Sequence, residues 1–446
     1  MHEGALALSE IESNGIRVDV DYLSRMDAEV DALIIQQREV VEAYDEWKTW
    51  KRRYRTSANL NSSKQLADVL FEVLGYTATA TTPNGNPKTD ESSLGMLEIP
   101  FVQDYLEYKK LCKLKGTYIR GLFREVDDGY IHPSFNLHLV VTYRSSSDAP
   151  NFQNFPTRNP KIAKLIRSAF IPRKNHVLVE IDYSAIEVRV AACYHRDPTM
   201  IKYIVEGYDM HLDMAAECYI LDKANVAKRV RHAGKNSFVF PEFYGDVYFS
   251  VSKGLWNAIK RDKLTTNDGV PLFKHLKAQG ISELGECDPK QRPMPGTFEH
   301  HIQKVEERFW NTRFPVYRDW KQSWHRKFLQ RGYFRTKTGF VIGGLMRKNE
   351  VINCPIQGSA FHCLLWSLTR VNRELRVRKY KSKAVGQIHD SMLLDVHKSE
   401  LAEVVHLAQD IMCRQLAEHW DWIIVPLETE AEASDVNWYE KKPLEI

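Results

Sequence analysis

The apolar run His176-Val-Leu-Val-Glu-Ile-Asp182 ends on an acid and passes at once into Tyr183-Ser-Ala-Ile-Glu187-Val-Arg189. Its alternation predicts a strand, with Val177, Val179 and Ile181 on one side and Leu178, Glu180 and Asp182 on the other. Ser184 and Glu187 have capping-box spacing and predict a helix immediately after, through Val188 to Tyr194. Asp182 is thereby held at a strand-to-helix corner. Much later, residues 384 to 396 read as a hairpin in which His389, Asp390 and Ser391 stand between two apolar runs. Alone, either acid is an ordinary turn residue. Together they constrain the fold, because two acids at strand ends form a pair only if one sheet brings both strands side by side. A two-metal phosphoryl-transfer site needs such a pair: oxygen ligands on rigid supports, holding two divalent ions about 3.5 to 4 Å apart.

A chain of 446 residues is too long for one ordinary core, so two or three subdomains are expected. No segment approaches the roughly 18 apolar residues of a membrane span. The opening Met1-His-Glu-Gly-Ala has no basic region before its short apolar segment, so no secretory leader and a cytoplasmic location are expected. The seven cysteines are scattered without a Cys-x-x-Cys pair and read as buried small hydrophobes. His300-His301 and the group Cys354, His362, Cys363 lack a closed four-ligand set. Net charge is only +4, but Trp47 to Arg55, Lys109 to Lys115 and Arg376 to Lys383 concentrate cations that can neutralise phosphates.

Residues 1 to about 120 read as mostly helical, with helical spacing through Leu23 to Val41 and Leu66 to Leu74 and a cap at Asn59 to Ser62. From about 125 to 185 short β-rich pieces are expected at Tyr130 to Tyr143 and Val177 to Ile181. A second helical block follows, roughly 196 to 350, with a polar, poorly periodic insertion near 262 to 297. The end of the chain predicts a helix from about 355 to 375, the hairpin, a helix from 399 to 418 and a last strand at Ile423 to Leu427.

Several motifs occur in order: Arg144-Ser-Ser-Ser-Asp-Ala-Pro-Asn151-Phe-Gln153-Asn154-Phe-Pro-Thr-Arg158, Asp182 to Arg189, Asp209-Met-His211, Arg231-x-x-x-Lys235, Phe240-x-x-x-Tyr244-Gly245, Asn353-Cys-Pro-Ile-Gln357-Gly and His389-Asp390. They resemble, collinearly over nearly the whole chain, the motifs of family A DNA polymerases, the group of bacterial DNA polymerase I and phage replicative polymerases. The resemblance implies an α+β, multidomain right hand. The thumb (1–125) and fingers (196–350) would be helical, and the palm (126–195 and 351–446) mixed α/β on an antiparallel sheet. The implied activity is that of a DNA-directed DNA polymerase, a nucleotidyltransferase extending a primer 3′-OH with dNTPs on primer-template DNA. Two Mg²⁺ ions, or Mn²⁺ in their place, would be held by Asp182, Asp390 and the Tyr183 carbonyl. Arg231, Lys235 and His211 would grip the triphosphate, with Lys235 protonating pyrophosphate. Phe240 would stack near the sugar and base, Tyr244 would close the insertion site, and Glu187 would exclude a ribose hydroxyl. Arg144, Asn151, Gln153, Asn154, Arg158, Asn353, Gln357 and His389 would touch primer and template, largely in the minor groove. A phage-encoded chain would act in the host cytoplasm or nucleoid.

Three departures bear on this reading. The family has three residues between its lysine and aromatic, whereas Lys235-Asn-Ser-Phe-Val-Phe240 has four. On a regular helix that step swings Phe240 by about 140° from Lys235 instead of about 40°. A π-bulge or kink between them, beside Pro241, is therefore predicted. Ser391 stands in place of a glutamate and Ala185 in place of a glutamine; the serine is expected to hold a water near the metals, and restoring glutamate at 391 to change the rate only modestly. The resemblance begins at the thumb, so no proofreading is expected of this polypeptide alone, and a separate exonuclease or replisome protein is an implied partner. Ser391 and the shifted helix leave one alternative, a catalytically weak polymerase-like DNA-binding subunit, and the shared palm chemistry leaves a second, a single-subunit RNA polymerase. Asp182, Asp390, Arg231 and Lys235 weigh against the first, Glu187 against the second.

Overall fold

The computed structural model describes residues 1–82, 84–156 and 160–445. One antiparallel sheet of five strands lies at its centre: β1 (His176–Tyr183), β2 (Lys383–Ile388), β3 (Ser391–His397), β4 (Thr429–Ser434) and β5 (Lys442–Pro443), in the spatial order β5-β4-β1-β3-β2. β1 lies in the middle of the sheet, paired on both edges, with Leu178, Val179 and Ile181 fully buried.

One side of the sheet is covered by helices, among them Leu401–Asp410 and α4 (Lys348–Val377), and α1 (Ile186–His195) packs on α4. Tyr183 points into this layer, its hydroxyl donating to the Met412 carbonyl at 2.8 Å and lying 3.0 Å from the Ser367 hydroxyl. A buried tyrosine needs such partners, since an unsatisfied hydroxyl there costs about 1–3 kcal/mol. The opposite face carries acids: the cross-strand pairs Glu430↔Asp182 and Glu432↔Glu180 place four carboxylates on it.

Two helical regions flank the sheet. Val20–Ala43 and Pro100–Lys113 run antiparallel, tied by Gln37 to Asp104 at 3.1 Å and by Lys115 to Asp27 at 3.2 Å. They share a separate core built on Trp50, Leu70, Phe101 and Val102, and Ser62 caps its helix through Gln65 N at 3.2 Å as expected. The other region contains α2 (Lys228–Gly234) and α3 (Pro315–Arg331), packed around Phe238, Phe309, Phe314 and Tyr317. Among the described residues, no helix is long and apolar enough to cross a membrane.

Four local expectations are corrected. The last strand is Thr429–Ser434, not Ile423 to Leu427. The earlier segment buries Trp422, Val425 and Leu427 as an irregular loop, while the Glu/Ala-rich segment becomes a strand because it pairs with β1 from Thr429↔Tyr183 to Ser434↔Leu178. Between Tyr130 and Tyr143 only Tyr130–Ile131 and Ser134–Asn136 are strands. The capping box at Ser184 is absent: Ala185 is the N-cap in the left-handed region (φ 52°) with no side-chain cap bond, and the Ser184 hydroxyl donates to Glu430 at 3.3 Å. The helix expected from about 355 begins at Lys348, where Glu350 accepts from the Arg347 backbone N–H at 2.7 Å. The polar stretch 262 to 297 contains one short helix, Leu272–Ala278, anchored by Phe273 against Trp256 with ring centroids 4.8 Å apart.

Candidate active site

The two acids converge. Ser391 is the register partner of Asp182, so Asp390, one residue earlier, hangs beside the end of β1, and Tyr183 N–H donates to the Asp390 carbonyl at 3.4 Å. The β2–β3 turn is tight: His389 adopts φ 51°, and Gln387 Nε2 donates to the His389 carbonyl at 2.8 Å. Burial, then the charges of Asp390, Glu180 and Glu430, push the Asp182 carboxyl up to about 7. Asp390 is also raised, chiefly by burial, while Arg144 and Lys235 pull it back down. Acids crowded in this way, Asp390 raising Asp182 and Glu180 raising both, attract cations, and their oxygens suit a hard divalent ion. Among the described residues no three His, Cys, Asp or Glu side chains cluster as a ready metal cage. A backbone carbonyl, water and substrate phosphate would therefore have to complete the coordination.

Ser391 departs from expectation. It is buried, and its hydroxyl lies 3.0 Å from both Glu180 Oε1 and the Ile388 carbonyl, turned into the sheet rather than held open for water. Glu180 in turn accepts from Trp438 Nε1 at 2.8 Å and pairs with Lys441. These partners outweigh the burial that would raise its pKa and keep it below the ordinary glutamate value. Sequence reasoning passed over Glu180 and Lys441 because their meeting depends on β5 reaching the edge of the sheet.

The helix facing the acids shows the expected irregularity. α2 runs into a π-helical segment, Lys235–Val239, and resumes as a short α-helix, Phe240–Phe243. The wide turn brings Lys235 Nζ to 5.3 Å from the Phe240 ring centroid, and Phe240 stacks on Tyr244 at 6.0 Å and lies 5.8 Å from His211. Val239 and Phe243 are buried on the other side. Arg231 Nε donates to Asp209 at 2.6 Å, which orients its guanidinium. His211 is pushed down to about 4 by burial and the neighbouring Lys235 and Arg231, so it is neutral near pH 7. Glu187 accepts from the Tyr244 hydroxyl and, at 3.5 Å, from Arg144.

Arg144, Asn151, Gln153, Asn154, Gln357 and His389 line one polar cavity of about 340 Å³. Gln153 Nε2 donates to Ser145 Oγ at 2.8 Å and to Gln387 Oε1 at 2.5 Å, so Ser145 and Gln387 fix its amide although the motif reading did not single them out. Asn353 stands outside this group and donates to the Tyr244 carbonyl at 3.2 Å. Arg158 lies outside the described residues.

The family model of DNA polymerase family A matches residues 30–266 and 303–440. The chain belongs to DNA polymerase family A. It is 28% identical over 442 residues to DNA polymerase I of Bacillus subtilis strain 168, covering 98% of this chain and 45% of that protein. It is 30% identical to DNA polymerase I of Streptococcus pneumoniae TIGR4, again across 98% of this chain and 45% of the relative. The DNA polymerase of Bacillus phage SP01 is 28% identical, with 92% and 47% covered. The chain thus spans less than half the length of these family members. Among solved structures, the POL domain of Pol1 from M. smegmatis, in complex with DNA primer-template and dNTP, aligns with TM-score 0.77 and 24% identity over 98% of this chain and 70% of that one. The α+β polymerase-domain fold of the family, mostly helical around an antiparallel sheet, is therefore the fold of this chain. Residues 267 to 302, with the Leu272–Ala278 helix, lie between the two stretches matched by the family A model.

Proposed function

We propose that this chain is a template-directed DNA polymerase that extends a primer 3′-OH with deoxynucleoside triphosphates. The observation that carries the reading is the convergence of Asp182 and Asp390 on neighbouring strands, with Lys235 close enough to lower the Asp390 carboxyl. Asp182, Asp390 and the Tyr183 carbonyl would hold Mg²⁺, which supplies charge neutralisation for the attacking and departing oxygens. Lys235 and Arg231 offer cations to the triphosphate from one helix, and Lys235 carries a transferable proton for pyrophosphate. Neutral His211 supports Phe240 and can donate to a phosphate oxygen. Glu187, held by Tyr244 and Arg144, presents a fixed carboxylate where a ribose 2′-hydroxyl would lie, which favours deoxynucleotides. The cavity formed by Arg144, Asn151, Gln153, Asn154, Gln357 and His389 offers donors and acceptors to primer-template DNA.

Primer extension with dNTPs and rNTPs, with and without Mg²⁺, tests the reading. Extension confined to dNTPs and dependent on the divalent ion is expected, and Asp390→Ala should reduce it by at least about a thousandfold. An Asp390→Ala protein that keeps most of its activity would remove the basis of the assignment. A folded chain that binds primer-template but never extends it would instead favour a polymerase-like DNA-binding subunit.

A further inference from the structure

Behind the nucleotide-facing helix lies a charged cluster that phosphoryl transfer does not call for. Glu242, between Phe240 and Tyr244 in sequence, has no exposed surface. Its Oε2 accepts from Trp310 Nε1 at 2.7 Å, while Oε1 has no hydrogen-bond partner. Lys321 of α3 enters from the opposite side. Its Nζ donates to the Glu242 backbone carbonyl at 3.3 Å and sits 3.3 Å from the centroid of the Trp310 ring. Glu306 supplies a third ionisable group, accepting from Tyr248 N–H at 3.2 Å.

Buried carboxylates and ammonium groups are costly unless paired and fully hydrogen-bonded, and here one carboxylate oxygen is left without a donor. Lys321 is held by a carbonyl and an indole face, close to that carboxylate but not bonded to it. A short displacement of the helix would exchange the carbonyl contact for an ion pair with Oε1. That ion-paired seat would be a second arrangement of the same groups, reached by movement of the segment that carries Phe240 and Tyr244.

We propose that Glu242 is a positioning residue: through Trp310 and Lys321 it sets how far the Phe240–Tyr244 segment is advanced toward an incoming deoxynucleoside triphosphate, and the charge on the cluster selects between the two seats. This rests on the polymerase reading for its substrate, but the cluster can be examined without it. Burial and the neighbouring Glu306 raise the Glu242 carboxyl, and burial raises Glu306 itself to about 7. Burial brings Lys321 down to about 7. The cluster thus changes charge near neutrality. The charged groups that face it from the surrounding elements are Asp246 beyond the helix, Glu307 beside Glu306, and Lys348 at the start of α4. His195, stacked on Tyr317 at 3.9 Å, is brought down to about 3 by burial and Lys321, and remains neutral throughout.

The experiment compares the intact chain with Glu242→Gln, Lys321→Met and the double variant, each confirmed as folded by circular dichroism. Two readouts are taken from about pH 6 to about pH 8: KM and kcat for a dNTP in primer extension, and intrinsic tryptophan fluorescence without nucleotide. The intact chain should show a fluorescence transition near neutrality, from Trp310 between its two charged neighbours, and a KM that changes across the same range. Glu242→Gln should weaken and shift both, since Glu306 and Lys321 still titrate, and raise KM by about fivefold, with kcat within about twofold. Lys321→Met, which strands the carboxylate, should perturb KM more than the double variant, which removes both charges. A pH-independent KM in the intact chain, or a Glu242→Gln protein with the same KM and the same fluorescence profile, overturns the proposal. If no variant folds, the two intact-chain profiles decide. Failure of the intact chain to extend a primer counts against the polymerase reading; fluorescence then decides the cluster, and its failure to respond to pH or to a dNTP overturns the proposal.

Discussion

Replacing Ser391 by glutamate would place a second carboxylate against Glu180 inside the sheet. The serine hydroxyl is 3.0 Å from Glu180 Oε1, and both side chains are largely buried. Removing that donor leaves a charged acceptor short of a hydrogen bond, at a cost of about 1–3 kcal/mol. Two unit charges about 4 Å apart repel by about 4 kcal/mol at an effective dielectric constant near 20. The sum, about 5–7 kcal/mol, is comparable to the whole stability of many domains. Ser391→Glu is therefore expected to lower the urea midpoint severely, far more than its motif position suggests. Glu180→Gln keeps the side chain's shape and can donate to the new carboxylate, so the double variant should recover about 4 kcal/mol relative to the sum of the single changes. The assay is equilibrium unfolding of the four proteins of the cycle, with primer extension as a second readout. A Ser391→Glu protein within about 1 kcal/mol of the parent, or a coupling energy near zero, would refute the argument that Glu180 occupies the space and charge that a glutamate at 391 requires.

Other expectations follow from the same coordinates. Glu187→Ala, which frees Tyr244 and Arg144, should raise rNTP incorporation relative to dNTP by about tenfold or more, measured as the ratio of kcat/KM values; an unchanged ratio would exclude Glu187 as the sugar filter. The Asp182 carboxyl is raised to about 7, above the roughly 3.9 of an unfolded chain. The folded protein therefore keeps a proton that the unfolded chain releases, so this share of stability is present at low pH and is lost as pH rises through about 4 to about 7. Asp182→Asn should flatten the metal-free stability profile over that window, and an unaltered slope would show that another group carries it. Gly358→Ala should destabilise by about 1–3 kcal/mol, because an added Cβ would lie 2.5 Å from the Thr142 backbone carbonyl in the wall of the polar cavity. A Tm equal to that of the parent would mean that the wall yields freely.

Local periodicity and residue counting determined a good deal of this molecule before any tertiary contact was known. The strand ending at Asp182 and the hairpin around Asp390 follow from alternation, and the π-helical turn at Lys235–Val239 follows from one residue more than the family A spacing between lysine and aromatic, just ahead of Pro241. The strands are effects of neighbours in the chain, so the chain alone contains them; the π-turn is legible once the family's spacing is set beside it. The strand Thr429–Ser434 was not legible, because Glu and Ala have little β-preference and the segment becomes a strand only by pairing with β1. Glu180 joins Ser391 and Lys441, and Glu242 lies against Trp310 and Lys321, for the same kind of reason. Such partnerships depend on which strands lie side by side and which helices cross. Folding decides them, by bringing groups far apart in sequence into a medium where an unpaired charge is costly and the identity of its neighbour determines what it does.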